Sequence, residues 1–355
     1  MEERVNRLRE IMAEEELSAL MVTSIINVRY LSGFTGSSGY LLVTPEEYLL
    51  MTDSRYLKQA REEAPGCRLV DHGEKRLDSL REELDRLGLD SLAFEAQHSS
   101  YAEYERYRDG LEEISLTPVV GLVERLRAKK DEQELHLLRK AVLLADKAFA
   151  HICSYIEPGL TEREVALELE FFIREAGAEG LAFPTIVASG PRGAMPHGRA
   201  TDKRLEQGEM VTMDFGACYQ GYNSDITRTL VLGEPTEKQR EVYSLVQRAQ
   251  AAAKEGMQAG IPCQEADALA RDIISDAGKG HYFRHSLGHG IGLQAHEAPR
   301  ISSREDRVLE EGMVVTVEPG VYIPEWGGIR IEDMVLVCAE GVEVLTSAPR
   351  ELITI

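Results

Sequence analysis

The sequence predicts an α/β domain followed by a larger α+β domain built from two similar halves, and three observations carry that expectation. A nine-residue pattern, G-x-x-V-T-x-(acid)-x-G, occurs twice, first as Gly208, Val211, Thr212, Asp214, Gly216 and again as Gly312, Val315, Thr316, Glu318, Gly320. The first third of the chain alternates short apolar runs with amphipathic helical segments, the mark of α/β patterning. A length of 355 residues suits two domains better than one.

The expected N-terminal domain covers residues 1–122. A charged helix over 4–16 leads into the apolar strand 19–22. Residues 27–34 and 39–44 read as strand and turn, 48–52 as a strand and 56–63 as a helix. Leu69-Val70, a helix over 77–87 and the strand 92–95 continue the alternation. No metal-ligand spacing is visible here, and His72 and His98 read as isolated, ordinary histidines. The charged stretch 125–132 marks the start of the second domain, residues 123–355, with a long Leu- and Ala-rich helix running to about Tyr155.

The duplication in the second domain extends beyond the nine residues. Gly159-Leu160-Thr161 opens a helical segment stopped at Ala176-Gly177, and Gly260-Ile261-Pro262 opens another stopped at Ala277-Gly278. Each half carries a His-Gly pair, His197-Gly198 and His289-Gly290. Downstream, Gly221 precedes Asp225 by the same interval as Gly328 precedes Glu332, and an apolar run follows each acid. The repeat unit is thus helix, histidine, strand with acid, strand with acid. Two copies are too few for a solenoid, so the halves should face each other across a site holding four carboxylates. Buried carboxylates are costly unless paired or bound to a cation.

Bulk composition narrows the partners. The formal net charge is −21, which opposes nucleic acid, whose binding needs a basic footprint, and anionic membranes. No uncharged apolar run is long enough to span a bilayer, and residues 1–4 do not open a signal-peptide core. The five cysteines are scattered, with no C-x-x-C. Reduced thiols in a cytoplasmic protein are the expectation.

Four of the nine histidines fall within residues 281–297: His281, His285, His289 and His296. Three glycines among them favour extended or turning backbone over a helix. A core histidine cluster is the bland reading, but it leaves the strand acids without a partner. An oxygen-rich set with one imidazole suits two ions of Mn, Co or Fe, with Zn possible, and not the Cys/His array of structural zinc. A two-metal centre of this kind activates water for hydrolysis of an amide.

The set Asp214, Asp225, His289, Glu318 and Glu332 resembles, in order and context, the five metal ligands of the pita-bread metallopeptidases. Residues 285–297 closely resemble the proline-peptidase signature H-x-L-G-H-G-I-G-L-x-x-H-E, with Ala295 where a β-branched residue is more usual. The resemblance is to Xaa-Pro peptidases, aminopeptidase P and prolidase, over essentially the whole chain. It implies a creatinase/prolidase-like N-terminal domain, a pita-bread catalytic domain, two divalent ions per chain with Mn first, and a homodimer. The implied substrates are peptides with proline at the second position. The implied activity is that of an Xaa-Pro aminopeptidase working through a metal-bridging hydroxide, with Xaa-Pro dipeptidase as the alternative.

Residue by residue, the resemblance assigns Asp214 to one ion, His289 and Glu318 to the other, and Asp225 and Glu332 to both. His197, His285 and His296 match the family's substrate histidines, Glu318 its proton shuttle, and Arg330 the arginine that supports the site. Metal-free creatinase-like amidinohydrolases and non-catalytic relatives lose the ligand set, which is complete here. Methionine aminopeptidases usually lack the large N-terminal domain. Tyr219, Tyr222 and Trp326 are placed near the acids, where pocket wall and ordinary packing both fit. Cys218 lies between ligands, but thiolate ligation is not expected in a carboxylate site.

Overall fold

A computed structural model describes residues 1–355, which divide into two compact units, Met1–Arg127 and Ala128–Ile355.

In the first unit, helix α1 (Glu2–Glu14) buries Val5, Leu8 and Met12 on one face, the spacing of an amphipathic helix. Strand β1 (Leu20–Val22) is followed by helix α2 (Ile25–Ser32). Residues 27–32 of the segment 27–34 are therefore helical, not the strand expected from its apolar residues. Gly33 closes it in the left-handed region at φ 83°, a glycine C-cap that the run of β-branched and aromatic residues masks in sequence. Strands β2 (Tyr40–Val43) and β3 (Tyr48–Thr52), helix α3 (Leu57–Glu63), β4 (Arg68–Asp71), α4 (Arg76–Leu87) and β5 (Ser91–Glu95) follow. Helix α5 (Tyr101–Gly110), strand β6 (Ser115–Val119) and helix α6 (Leu122–Ala128) complete the unit. The strands form one mixed sheet in the order β4-β3-β2-β1-β5-β6.

His98 is not isolated. Its Nε2 lies 3.1 Å from Glu124 Oε1, and with Glu95 the three groups bring ligand atoms within 4.8 Å of one another. The Asn27 amide fills the space between the two carboxylates, donating to Glu95 Oε1 at 2.6 Å and Glu124 Oε1 at 2.7 Å. His72 stacks on Tyr40.

The second unit opens with helices α7 (Glu132–Tyr155) and α8 (Glu162–Glu175), each started by a capping box, Asp131 with Glu134 and Thr161 with Glu164. Strands β7 (Gly180–Leu181), β8 (Ile186–Ser189), β9 (Met210–Phe215), β10 (Ala217–Tyr219), β11 (Tyr222–Asn223) and β12 (Ile226–Val231) complete the first half. The second half repeats the order: helices α9 (Glu237–Gly256) and α10 (Cys263–Asp276), then β13 (Gly288–Gly290), β14 (Glu297–Ile301), β15 (Val314–Val317), β16 (Gly320–Ile323), β17 (Gly327–Arg330) and β18 (Asp333–Val337). Strands β19 (Val342–Val344) and β20 (Ile353–Thr354) end the chain. The main sheets run β20-β12-β9-β8 and β14-β13-β15-β18-β19. Each half has its own apolar core, one around Phe149, Val165 and Met213, the other around Val246, Ala270 and Val315.

Strand register corrects the sequence alignment of the halves at two places. Val211 faces Ser189 and Val315 faces Gly290, so the counterpart of His289 is Ala188, which faces Thr212. His197 lies instead in a turn after the short 3₁₀ segment Gly190–Ala194. Likewise Met213 faces Arg228 and Val317 faces Asp333. That equates Arg228 with Asp333, Thr227 with Glu332, and Asp225 with Arg330. The shared glycine interval therefore misaligns the second acids by two residues. The equated residues meet across the pseudo-twofold: Arg228 Nη2 pairs with Asp333 Oδ1 at 2.9 Å, and Thr227 Oγ1 donates to Glu332 Oε2 at 2.6 Å.

Candidate metal centre

One cavity of about 670 Å³ is lined by Asp214, Asp225, Glu318, Glu332, His197, His285, His289, His296 and Arg330, so the five proposed ligands, the three substrate histidines and the arginine face the same space. Asp214 sits near the end of β9, and Glu318 follows β15 at the matching place. Asp225 immediately precedes β12, and Glu332 occupies the step between β17 and β18. His289 is the centre of β13. Strand ends thus deliver the four acids, and the short strand β13 delivers His289, from a rigid scaffold.

His289 Nδ1 lies 3.0 Å from the Gly290 carbonyl. Donation there fixes the tautomer and leaves the Nε2 lone pair facing the acids, 3.4 Å from Glu318 Oε1 and 3.7 Å from Asp225 Oδ2. Asp225, His289 and Glu332 bring ligand atoms within 4.8 Å of one another. Burial, reinforced by neighbouring carboxylates, pushes Asp225 and Glu332 well above the ordinary carboxylate range. Glu318 is pushed up to about 8, by burial first and by Asp214, against the pull of Arg330. Asp214 Oδ1 is buried with no hydrogen-bond partner. A bare imidazole nitrogen, an orphaned carboxylate oxygen and mutually repelling buried acids together fit divalent cations, which would restore the ionised forms.

Arg330 fixes the rest of the wall. Its Nη2 reaches Asp214 Oδ2 at 2.5 Å, Nε donates to Thr227 Oγ1 at 2.9 Å, and Nη1 donates to Tyr322 Oη at 2.7 Å. Tyr322 Oη is 2.9 Å from His285 Nε2, whose Nδ1 is 2.8 Å from the Ser286 carbonyl. With Nδ1 donating, Nε2 accepts from the tyrosine, so His285 is a neutral ring with both nitrogens engaged. Burial, then Arg330, push it down to about 3. His197 and His296 are exposed to the cavity, and the His296 ring lies over His289 at 4.2 Å.

His281 lies outside this wall. Tyr222 is buried and donates to Glu134 Oε1 at 3.0 Å, and Trp326 packs on the second core beneath Lys238. Tyr219, Tyr222, Trp326 and Cys218 are all absent from the cavity lining. Sequence reasoning missed Tyr322, Thr227 and Thr316. The last accepts from His289 N at 3.1 Å and donates to Glu318 Oε1 at 3.2 Å. Thr316 was visible as the paired threonine of the repeat, while Tyr322 has no signal beyond lying four residues after Glu318.

Comparison with known proteins gives the family and the fold. The family model for metallopeptidase family M24 matches residues 136–339, and that for the creatinase/prolidase N-terminal domain matches residues 4–129. The Xaa-Pro dipeptidase of Pyrococcus horikoshii is 42% identical over 354 residues, covering 99% of both chains. The structure of an Xaa-Pro dipeptidase from Bacillus anthracis superposes with a TM-score of 0.97 at 46% identity, again over 99% of both chains. That of an X-Pro aminopeptidase from Thermotoga maritima gives 0.90 at 39% identity, over 95% of this chain and 97% of that one. The N-terminal unit is thus of the creatinase/prolidase type, the second unit has the pita-bread fold of the prolidases, and the chain belongs to metallopeptidase family M24.

Proposed function

We propose that this chain hydrolyses the peptide bond between an N-terminal residue and a following proline, with two divalent ions held by Asp214, Asp225, His289, Glu318 and Glu332. The observation that carries the reading is the convergence of four carboxylates on one bare imidazole nitrogen in a single cavity. The oxygen-rich donor set favours Mn, with Co, Fe or Zn as substitutes. Such ions, when bound, supply Lewis acidity and a water acidic enough to lose a proton near neutral pH.

The chain's own residues do the rest. Arg330 holds Asp214 in place and, through Tyr322, fixes His285. His197 and His296 present imidazoles to the carbonyl oxygen of the scissile bond, where negative charge develops. Glu318 takes the proton released by the attacking water on its carboxylate and passes it to the prolyl nitrogen, which must be protonated to leave.

The full-length relatives named as Xaa-Pro dipeptidases favour dipeptides as substrates. A cavity of about 670 Å³ and the similarity to an X-Pro aminopeptidase support longer peptides as the second reading. Reconstitution with Mn or Co should restore two metal equivalents and turnover, and chelation should abolish it. Comparing Xaa-Pro with Xaa-Pro-Xaa-Xaa substrates then separates the two readings. Full turnover by metal-free protein would instead favour creatinase-like chemistry.

A homodimer that narrows substrate length through the N-terminal unit and a cytoplasmic location complete the proposal. The five free cysteines support a reducing compartment, and no helix is long and apolar enough to cross a membrane. Sedimentation at micromolar concentration should give twice the chain mass, and a strict monomer that still selects dipeptides would refute the dimer.

A further inference from the structure

Lys130 carries a buried charge that the chemistry above does not use. Its side chain is 1% exposed, and Nζ lies 3.2 Å from Oε2 of Glu297, whose side chain is 6% exposed. Nζ also donates to the Ala128 carbonyl at 3.2 Å. Desolvating such a pair is expensive, so it is poorly explained as a device for stability alone.

The surroundings indicate what it holds. Glu297 directly follows His296 in the chain and opens β14. Its Oε1 accepts the Gln294 amide at 2.9 Å, closing the turn that carries His296. A Cβ on Gly292 would lie 2.8 Å from Glu297 Oε2, so only glycine there lets the carboxylate lie against the turn. Lys130 is itself anchored: its amide donates to the Gly312 carbonyl at 2.8 Å, and Lys129 bridges to Met313 just ahead of β15, the strand leading to Glu318. An ammonium fixed to the base of the metal-site strand thus grips the carboxylate beside the histidine whose ring lies 4.2 Å from that of His289.

We propose that Lys130 is a positioning residue that, through Glu297, fixes the 292–297 turn and hence the place of His296 in the cavity. The proposal rests on the peptidase reading for the role of His296 in substrate binding.

The test is a double-mutant cycle on the Mn-reconstituted full chain, with alanylproline as the probe. Lys130→Met should lower kcat/KM by about 10- to 100-fold in the wild-type background. In the His296→Ala background it should cost no more than about twofold further. Lys130→Arg should recover part of the loss. Equal losses in both backgrounds, or no loss in the first, would overturn the proposal. Should Lys130→Met fail to fold, Lys130→Met with Glu297→Gln removes both charges and enters the same cycle with the same expectation.

A second readout needs no turnover. In metal-free protein the His296 ring protons should carry a ring-current shift from His289 and lose it in the Lys130 variant. Unchanged shifts would also overturn the proposal. Failure of the peptidase reading would show separately, as wild-type protein inactive on the dipeptide with the ring-current result intact.

Discussion

Asp333 shows how much of the site depends on residues that never face it. It is fully buried and accepts from Arg228 Nη2, Gln250 Nε2, Lys254 Nζ, Thr346 Oγ1 and Arg350 Nε at 2.5–2.9 Å. Its neighbour Glu332 accepts from Arg228 Nη1 through the main-chain carbonyl, so the network fixes the backbone behind a proposed ligand. Burial alone would push Asp333 up, but Arg228, Arg350 and Lys254 outweigh it and hold the carboxyl below its ordinary value of 3.8. A depressed folded-state pKa means that its contribution to stability is full above about pH 4 and is lost as pH falls further. Asp333→Asn should cost about 3–5 kcal/mol in denaturant melts at pH 7, because it leaves buried cations uncompensated. The variant should also show a shallower loss of stability below pH 4 than the wild type. Equal acid limbs would mean that the cations are screened by water. None of this network is legible in the sequence, since its members come from helix α9, two strands and the C-terminal segment. The five proposed ligands, by contrast, were legible because the four acids lie at strand ends with glycine punctuation and His289 lies between two glycines.

At the scale of elements, the nine-residue repeat encodes a turn, a strand and a close approach. Gly208 and Gly312 both adopt positive φ, 85° and 88°, at the turn that enters each acid-bearing strand. Helices α8 and α10 were legible from the threonine or proline that opens each and the glycine that stops it. Strand pairing was not. The halves carry their second acids at different registers, and only the ladders show that Thr227, not Asp225, is the counterpart of Glu332. Helix α2 was missed because propensity yields to tertiary context in an eight-residue segment. Gly288 offers a test at this scale. A Cβ there would overlap the carbonyl oxygen of Thr316 on the adjacent strand, which as backbone cannot swing aside. Gly288→Ala should therefore destabilise by about 1–3 kcal/mol. Because Thr316 Oγ1 also contacts His289 N and Glu318, it should weaken metal retention more than Gly88→Ala, which strains a surface helix cap. Calorimetric titration of both variants with Mn decides it; equal affinities would mean that the hairpin relaxes without moving the ligands.

For the whole molecule, pseudo-symmetry concentrates negative charge where the two halves meet, and that makes global stability depend on metal and pH together. In metal-free protein the Glu318 carboxyl is pushed up to about 8 from an ordinary 4.5, by burial first, and Asp225 and Glu332 move in the same direction. Between about pH 4.5 and 8 these carboxyls therefore bind more protons in the folded apo chain than in the unfolded one, and their contribution to stability falls as pH rises through that window. His285 and His289, pushed down by burial, act in the opposite sense below about pH 6.5, but they stay neutral with and without metal, so they cancel between the two forms. Divalent ions hold the same carboxylates ionised and release their protons on binding, which removes this slope. Melting curves of the full chain with Mn and with chelator, at pH 5, 6, 7 and 8, should show a Tm gap that widens steadily with pH. Both forms lose Asp333's contribution in acid, so that term cancels in the difference. A gap that stayed constant or narrowed toward pH 8 would mean that the acids are already ionised without metal. The four carboxylates would then be solvated in the apo protein, and their burial would not be what drives cation binding.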